Sequence, residues 1–345
     1  MIKKFGLGFM RDKPEDVQKK IDYAMEAGIN YFESCRFYIN NRCEQLIGEA
    51  LKKYNREDYI LCAKMPVLGE LESRPPNEIF EDQLKNLNTG YFDYYLLQAL
   101  DRNSLKILKD TKAIQYLIDQ KKKGRIKNLG FSFHDTLPFL KMYLDLYDWD
   151  CVQIQLNYYD WFLGEAQKLV QELKSRDIPI FVMGASKGGT LVNNLPEKAR
   201  DYLYRENPYY TCLDFLSSID VDMVLLGGNS VNEIMSTLQW SEAYVSFSDL
   251  RAIIDEYKKI DIIGCTSCRY CETVCPRSIP LGTIFKLYNN ILEKSNDKDY
   301  EEYRKIQKSK YSGFNCIGCG SCEKKCPQHL NIRELLRTKI FTLRL

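Results

Sequence analysis

Short apolar stretches alternate with amphipathic ones through the first 245 residues or so. The stretches "KFGLGF", "NYFESC", "DYILCAKM", "YFDYYLLQAL", "IKNLGFSF", "CVQIQLN", "PIFVMGA" and "VDMVLLGG" read as strands. Between them lie helical patterns such as "PEDVQKKIDYAMEAG", "EQLIGEALKKY", "EIFEDQLKNL", "LKILKDTKAIQYLIDQKKKG" and "AQKLVQELKSRD". Several of these stop at Gly or Asn, as helix C-termini do. Eight strand-then-helix units over this length match the size of a (β/α)8 TIM barrel, an α/β fold. A doubly wound open sheet has the same periodicity, and the count of eight favours the barrel.

In a barrel the chemistry sits where strands end at the C-terminal face. The residues to read are therefore Glu33 and Tyr38, Lys64, Gln98, Ser132 and His134, Gln153 and Asn157. The loops "GASKGG" and "GGNS" complete the set. Lys64 is informative, because a lysine closing the apolar strand "YILCAKM" is costly to bury without a partner or a function. The "KKKGR" run at 121–125 falls at a helix end and reads as solvated surface.

The pattern changes near residue 255. From Glu256 onward 17 Lys and Arg outnumber 10 Asp and Glu, which leaves 32 and 37 of the chain's 49 and 47 before that point. Of 13 cysteines, Cys35, Cys43, Cys62, Cys151 and Cys212 are scattered, and the other eight form two tight groups beyond residue 264. A barrel at 1–255 and a small α-rich, ferredoxin-like domain at 256–345 are expected. "CTSCRYCETVCP" spaces Cys265, Cys268, Cys271 and Cys275 as C-x2-C-x2-C-x3-C-P, and "CIGCGSCEKKCP" repeats this with Cys316, Cys319, Cys322 and Cys326. That is the bacterial ferredoxin run, in which the fourth cysteine of each run serves the other cluster. The expected sets are Cys265, Cys268, Cys271 and Cys326 on one [4Fe–4S] cluster, and Cys316, Cys319, Cys322 and Cys275 on the other. A pair of zinc sites would leave the third close cysteine of each run unexplained. The local basic excess offsets cluster charge, or docks an acidic electron carrier, and is not a nucleic-acid footprint.

The net charge of +2 gives no general argument for nucleic acid or a membrane. Only six uncharged residues separate Lys4 from Arg11, too few for a signal-peptide core, and no run of about 18 apolar residues occurs. A cytoplasmic location is expected.

An eight-unit barrel with "YFESCRFYINNRCEQLIGEAL" after the second strand and "CAKM" at the third resembles the aldo-keto reductases. With "KKKGRIKNLGFSFHD", "VQIQLNYYD" and the cysteine runs in order, it is similar to their iron–sulfur branch along essentially the whole chain. The family's tetrad is Asp, Tyr, Lys and His. Tyr38 and Lys64 match it, while Glu33 stands for the Asp and Gln98 for the His. The resemblance makes Tyr38 a proton donor to a carbonyl oxygen, with Lys64 lowering its pKa and the carboxylate fixing the lysine. Gln98 can donate a hydrogen bond but cannot titrate. Members that replace the histidine with Glu reduce a conjugated C=C bond.

The resemblance further implies a nicotinamide amide near Ser132 and Gln153. It sets pyrophosphate against Ser186, Lys187, Gly188 and Gly189, and against Gly228, Asn229 and Ser230. Asn229, Ser236 and Thr237 depart from the family's pattern for adenine and the 2′-phosphate. His134 is a candidate substrate contact, and His329, beside Cys326, could tune a cluster.

Nicotinamides deliver two electrons as hydride and each cluster passes one, so coupling them needs a flavin or a radical-tolerant substrate. Three functions follow. In the first, an anaerobic oxidoreductase reduces a carbonyl or activated double bond of a small molecule, with the clusters relaying electrons from a ferredoxin- or flavodoxin-type donor. In the second, NAD(P)H is the hydride donor and the clusters are structural or redox-sensing. In the third, a diverged barrel serves as an electron-carrier or binding module.

Overall fold

The computed structural model describes residues 4–10, 12–227, 231–294 and 297–341. Each apolar stretch named above contains one strand: β1 (Lys4–Gly8), β2 (Tyr31–Glu33), β3 (Ile60–Pro66), β4 (Phe92–Leu100), β5 (Ile126–Phe133), β6 (Cys151–Gln155), β7 (Ile180–Met183) and β8 (Met223–Leu226). Neighbours pair parallel in chain order, and β8 closes on β1 through the register Phe5↔Val224. That closure decides for the barrel and against the open sheet.

The lumen is filled by Tyr31, Cys62, Leu96, Cys151, Phe181, Met223 and Leu225. Glycines make room for this packing. A Cβ on Gly6 would come within 2.5 Å of the Tyr31 ring, and one on Gly130 within 2.4 Å of the Cys151 carbonyl. Side chains two apart on a strand share a face. Glu33 therefore stands above Tyr31, Lys64 above Cys62, Gln98 above Leu96, Ser132 above Gly130, and Gln153 above Cys151. A polar layer rests on an apolar floor.

β4 breaks its register with β5 between Leu97 and Leu100, and Ala99 takes φ 52°. A non-glycine residue in the left-handed region costs about 1 kcal/mol. Ser132 Oγ accepts the Ala99 N–H at 2.7 Å, which holds the bulge just past Gln98. At the opposite end of the strands, Asp93 accepts hydrogen bonds from the Leu61 N–H (2.9 Å), Arg56 (2.7 Å) and Lys127 (2.8 Å).

Packing divides the chain into two compact units, one of Met1–Ala185 with Leu213–Tyr244, the other of Ser186–Cys212 with Val245–Leu345. Composition placed a boundary at 255/256; the helix Phe247–Lys259 packs in the second unit, where the Tyr257 hydroxyl donates to the Thr190 carbonyl at 3.0 Å. Around the cysteine runs the second unit is built of short helices, including Tyr270–Thr273, Leu281–Lys294, Asp297–Gln307, Ser321–Lys324 and Ile332–Leu335. Its core includes Ile263, Ile284, Phe285, Tyr288, Ile291, Tyr303 and Leu336. Among the described residues no helix is long and apolar enough to cross a membrane.

Candidate functional sites

The polar layer of the barrel is tied into a ring. Lys64 Nζ lies 2.6 Å from Glu33 Oε1 and donates to Gln153 Oε1 at 2.9 Å, while Gln153 Nε2 donates to Glu33 Oε2 at 2.6 Å. β2, β3 and β6 each contribute one member, and the three are 3%, 3% and 0% exposed. Burial by itself pulls the Lys64 pKa down. Its neighbours, the Glu33 carboxylate foremost, offset that pull and hold the pKa above the usual 10.5. The ammonium therefore stays charged in a place with almost no water. Burial pushes the Cys35 thiol up to about 12, against the pull of Lys64, and raises Cys62 as well, so both stay protonated at neutral pH.

A second layer fixes the first. Gln83, on the helix Pro76–Asn86, donates from Nε2 to the Lys64 carbonyl (2.8 Å) and to Glu44 Oε1 (2.7 Å). Its Oε1 accepts from the Tyr95 hydroxyl, and Asn86 donates to Glu44 Oε2 at 2.9 Å. Sequence reading missed Glu44, Gln83 and Tyr95. The available signal was polar residues on the apolar faces of "CEQLIGEAL" and "EDQLKNL".

The structure brings Glu33, Lys64 and Gln153 together, so Gln153, expected near a nicotinamide amide, also contacts the Glu33–Lys64 pair. Tyr38 is 7% exposed on the loop between β2 and the helix Cys43–Leu51, its N–H on the Cys35 carbonyl at 3.1 Å. Gln98, 6% exposed, pairs in register with Pro66, two residues past Lys64 on β3. His134 follows β5, half-buried, with its N–H on the Leu100 carbonyl at 2.9 Å. Asn157 caps the helix Tyr158–Leu163 by accepting the Asp160 N–H at 2.9 Å.

Ser132 and Gln153, expected near a nicotinamide amide, are both buried. Ser132 is 2% exposed with its Oγ on Ala99, and both amide atoms of Gln153 are engaged inside the ring. Ser186, Lys187, Gly188 and Gly189 belong to the second unit, where the helix that follows is one turn, Thr190–Asn193. Gly228, Asn229 and Ser230 lie outside the described residues.

The two cysteine runs repeat at a spacing of 51 residues, down to the backbone. Ser267 and Gly318 (φ 54° and 71°), Arg269 and Gly320 (66° and 74°), and Ser278 and His329 (50° and 49°) all take the left-handed conformation. The first turn lets the Ser267 N–H donate to Cys265 Sγ at 3.3 Å and the Gly318 N–H to Cys316 Sγ at 3.4 Å. Such donors to sulfur are what a cluster's thiolates accept. Glu272 and Glu323 close the repeats, accepting the Gly282 N–H (2.9 Å) and the Arg333 N–H (2.8 Å). His329 is exposed.

Cys275, Cys316, Cys319 and Cys322 line one shallow pocket. The fourth cysteine of the first run thus lies at the same pocket as three of the second. Burial pushes the thiols of Cys265, Cys271 and Cys326 above the usual range, and Cys326 lies within electrostatic reach of Cys265, Cys268 and Cys271. Among the described residues no three His, Cys, Asp or Glu side chains converge to hold a single ion. Cys275, Cys316, Cys319 and Cys322 thus present four thiols at one pocket, and their donor chemistry is that of [4Fe–4S].

A closed parallel barrel with a buried Glu–Lys–Gln ring, followed by a dicluster unit, defines the class of the protein. Residues 4–258 match the aldo/keto reductase family and 264–332 match the 4Fe-4S dicluster domain, so the chain belongs to the aldo/keto reductase family and carries an iron–sulfur domain. It is 30% identical over 136 residues to a methylglyoxal reductase of Escherichia coli O157:H7, 38% of this chain and 45% of that one. It is 28% identical over 120 residues to a probable aldo-keto reductase of Glycine max, 32% of this chain and 34% of that one. The chain thus matches about half or less of each of these relatives. The solved aldo-keto reductase of Bacillus halodurans, holo form, has the same fold at TM-score 0.61 and 22% identity, over 73% of this chain and 91% of that one. An aldo-keto reductase of Klebsiella pneumoniae, solved with NADPH, aligns at TM-score 0.60 and 14% identity, over 74% and 91%.

Proposed function

We propose that the protein is an anaerobic oxidoreductase whose barrel reduces a carbonyl or an activated double bond of a small molecule. The observation that carries this reading is the ring of Glu33, Lys64 and Gln153, in which a buried lysine is held against a carboxylate at the C-terminal end of the strands. Surplus structural charge is rarely kept there, because a buried ion is stable only when fully partnered.

The chain's own residues then act as follows. Tyr38 gives its phenolic proton to the substrate oxygen as electron density arrives, and the Lys64 charge stabilises the phenolate left behind. Glu33 and Gln153 hold that ammonium in place. Gln98 steadies the substrate oxygen with an amide N–H and takes no part in proton transfer. The second proton of a two-electron reduction comes from solvent. Cys265, Cys268, Cys271 and Cys326 hold one cluster, and Cys275, Cys316, Cys319 and Cys322 the other. When bound, each supplies electrons singly, which fits a substrate that tolerates a radical.

The test is Tyr38→Phe in protein with unchanged iron content and visible spectrum. Turnover should fall about 10²- to 10⁴-fold, the usual worth of a positioned acid; full turnover would sink the reading. A second reading keeps NAD(P)H as hydride donor and makes the clusters structural or redox-sensing. The NADPH complex of the Klebsiella relative speaks for it. Anaerobic titration with NADH, NADPH and flavins separates the two, since only the second predicts cluster-independent hydride transfer.

A further inference from the structure

We infer that the surface around Phe314, Ile317 and Cys319 docks an acidic one-electron carrier protein. Its electron enters the chain at the cluster held by Cys275, Cys316, Cys319 and Cys322. This rests on the reading that the clusters pass electrons.

The two cysteine repeats differ in what covers them. Backbone conformation is the same in both, so a difference in coverage comes from what packs around each repeat. Ile263 and Thr266 of the first repeat are 1% and 9% exposed, whereas their equivalents Phe314 and Ile317 are both 56% exposed. Cys268 is half-buried, and its equivalent Cys319 is exposed. A Cβ on Gly318 would meet nothing within 4 Å, so a partner's backbone can approach the ligand loop closely. Phe314 stacks on Phe341 at 4.6 Å between ring centres, which fixes one apolar side chain of the patch. Exposed apolar side chains beside a redox centre are the composition of an interface core.

Charge identifies the partner. Between Lys308 and Lys339 the sequence has seven Lys and Arg against Glu323 and Glu334, and of these Arg333 takes Glu323 at 2.7 Å and Lys339 takes Asp261. Exposed Lys310, Lys324 and Arg277 remain around the patch, Arg277 lining the cysteine pocket itself. A basic rim around a small apolar centre complements an acidic carrier and speeds its encounter. In the transfer the reduced carrier loses one electron and the cluster gains it, with no bond made or broken.

The test uses the full, cluster-loaded chain and a purified acidic [2Fe–2S] ferredoxin, with binding followed by calorimetry. Affinity should fall at least about tenfold between roughly 20 and 200 mM salt. Lys310→Glu with Lys324→Glu should weaken binding by about tenfold or more at low salt. Iron content and reduction by dithionite should not change. The control pair Lys258→Glu with Lys298→Glu, of equal charge change, should bind as wild type. Salt-independent binding, full binding by the Lys310/Lys324 variant, or an equal loss in the control pair overturns the proposal. So does sedimentation showing that the patch pairs two copies of the chain. If the carrier binds and reduces the clusters while Tyr38→Phe turns over normally, the barrel reading fails and the docking face stands.

Discussion

Two carboxylates serve opposite ends of the same barrel, and they are partnered in opposite ways. Asp93, at the N-terminal end, is met by a backbone N–H and by Arg56 and Lys127, whose side chains are 17% and 54% exposed. Glu33, at the C-terminal end, is met by an ammonium and an amide from inside the lumen, with Lys64 only 4% exposed. Burial raises the Asp93 pKa, but Lys127, the Leu61 N–H and Arg56 together bring it below the usual 3.8. At the other end the perturbed group is the cation, held above 10.5. The lower cluster staples β3, β4 and β5 and lets water share the charge. The upper one excludes water from a charge that stability alone does not require, and that is where chemistry is expected.

Lys64→Met should separate the two ends most sharply. Turnover drops about 10³-fold, and stability falls by about 3–5 kcal/mol because Glu33 is left as a buried charge. Pairing it with Glu33→Gln should restore most of the stability, measured by denaturant unfolding, without restoring turnover. Asp93→Asn should cost about 1–3 kcal/mol and leave turnover within about twofold. Comparable losses of turnover at both ends would erase the distinction.

pH acts on the two ends in opposite windows. Asp93 has a depressed pKa, so its contribution is present above pH 3.8 and is lost as pH falls through the lower folded value. Lys64 has a raised pKa, so its contribution is complete below pH 10.5 and fades as pH rises through the folded value. In urea midpoints across pH, Asp93→Asn should flatten the acid limb alone, and the Lys64→Met, Glu33→Gln double variant the alkaline limb alone. The smallest effect belongs to Lys127→Ala, below about 1 kcal/mol, because an exposed ion pair is shared with water.

Much of this was legible along the chain. Strand and helix periods are local, so all eight strands could be placed before any contact was known. Strand ends pointed to Glu33, Lys64, Gln98, Ser132 and Gln153, and the two cysteine runs displayed their ligand spacing outright. A ligand run is a short-range geometric constraint, and short-range constraints are written in consecutive residues.

What the chain did not display are meetings made by closure. Gln153 reaches Lys64 across 89 positions and Glu33 across 120, and only the curvature of the barrel sets β6 opposite β2 and β3. Gln83 and Glu44 look like ordinary helix polar residues until two helices press them against β3. The two cysteine repeats read alike in sequence, yet Phe314 and Ile317 are open where Ile263 and Thr266 are covered. Sequence alone determined which groups exist and how they are spaced within an element; tertiary packing decided which are dry, paired or exposed, because solvent exclusion depends on every surrounding residue at once.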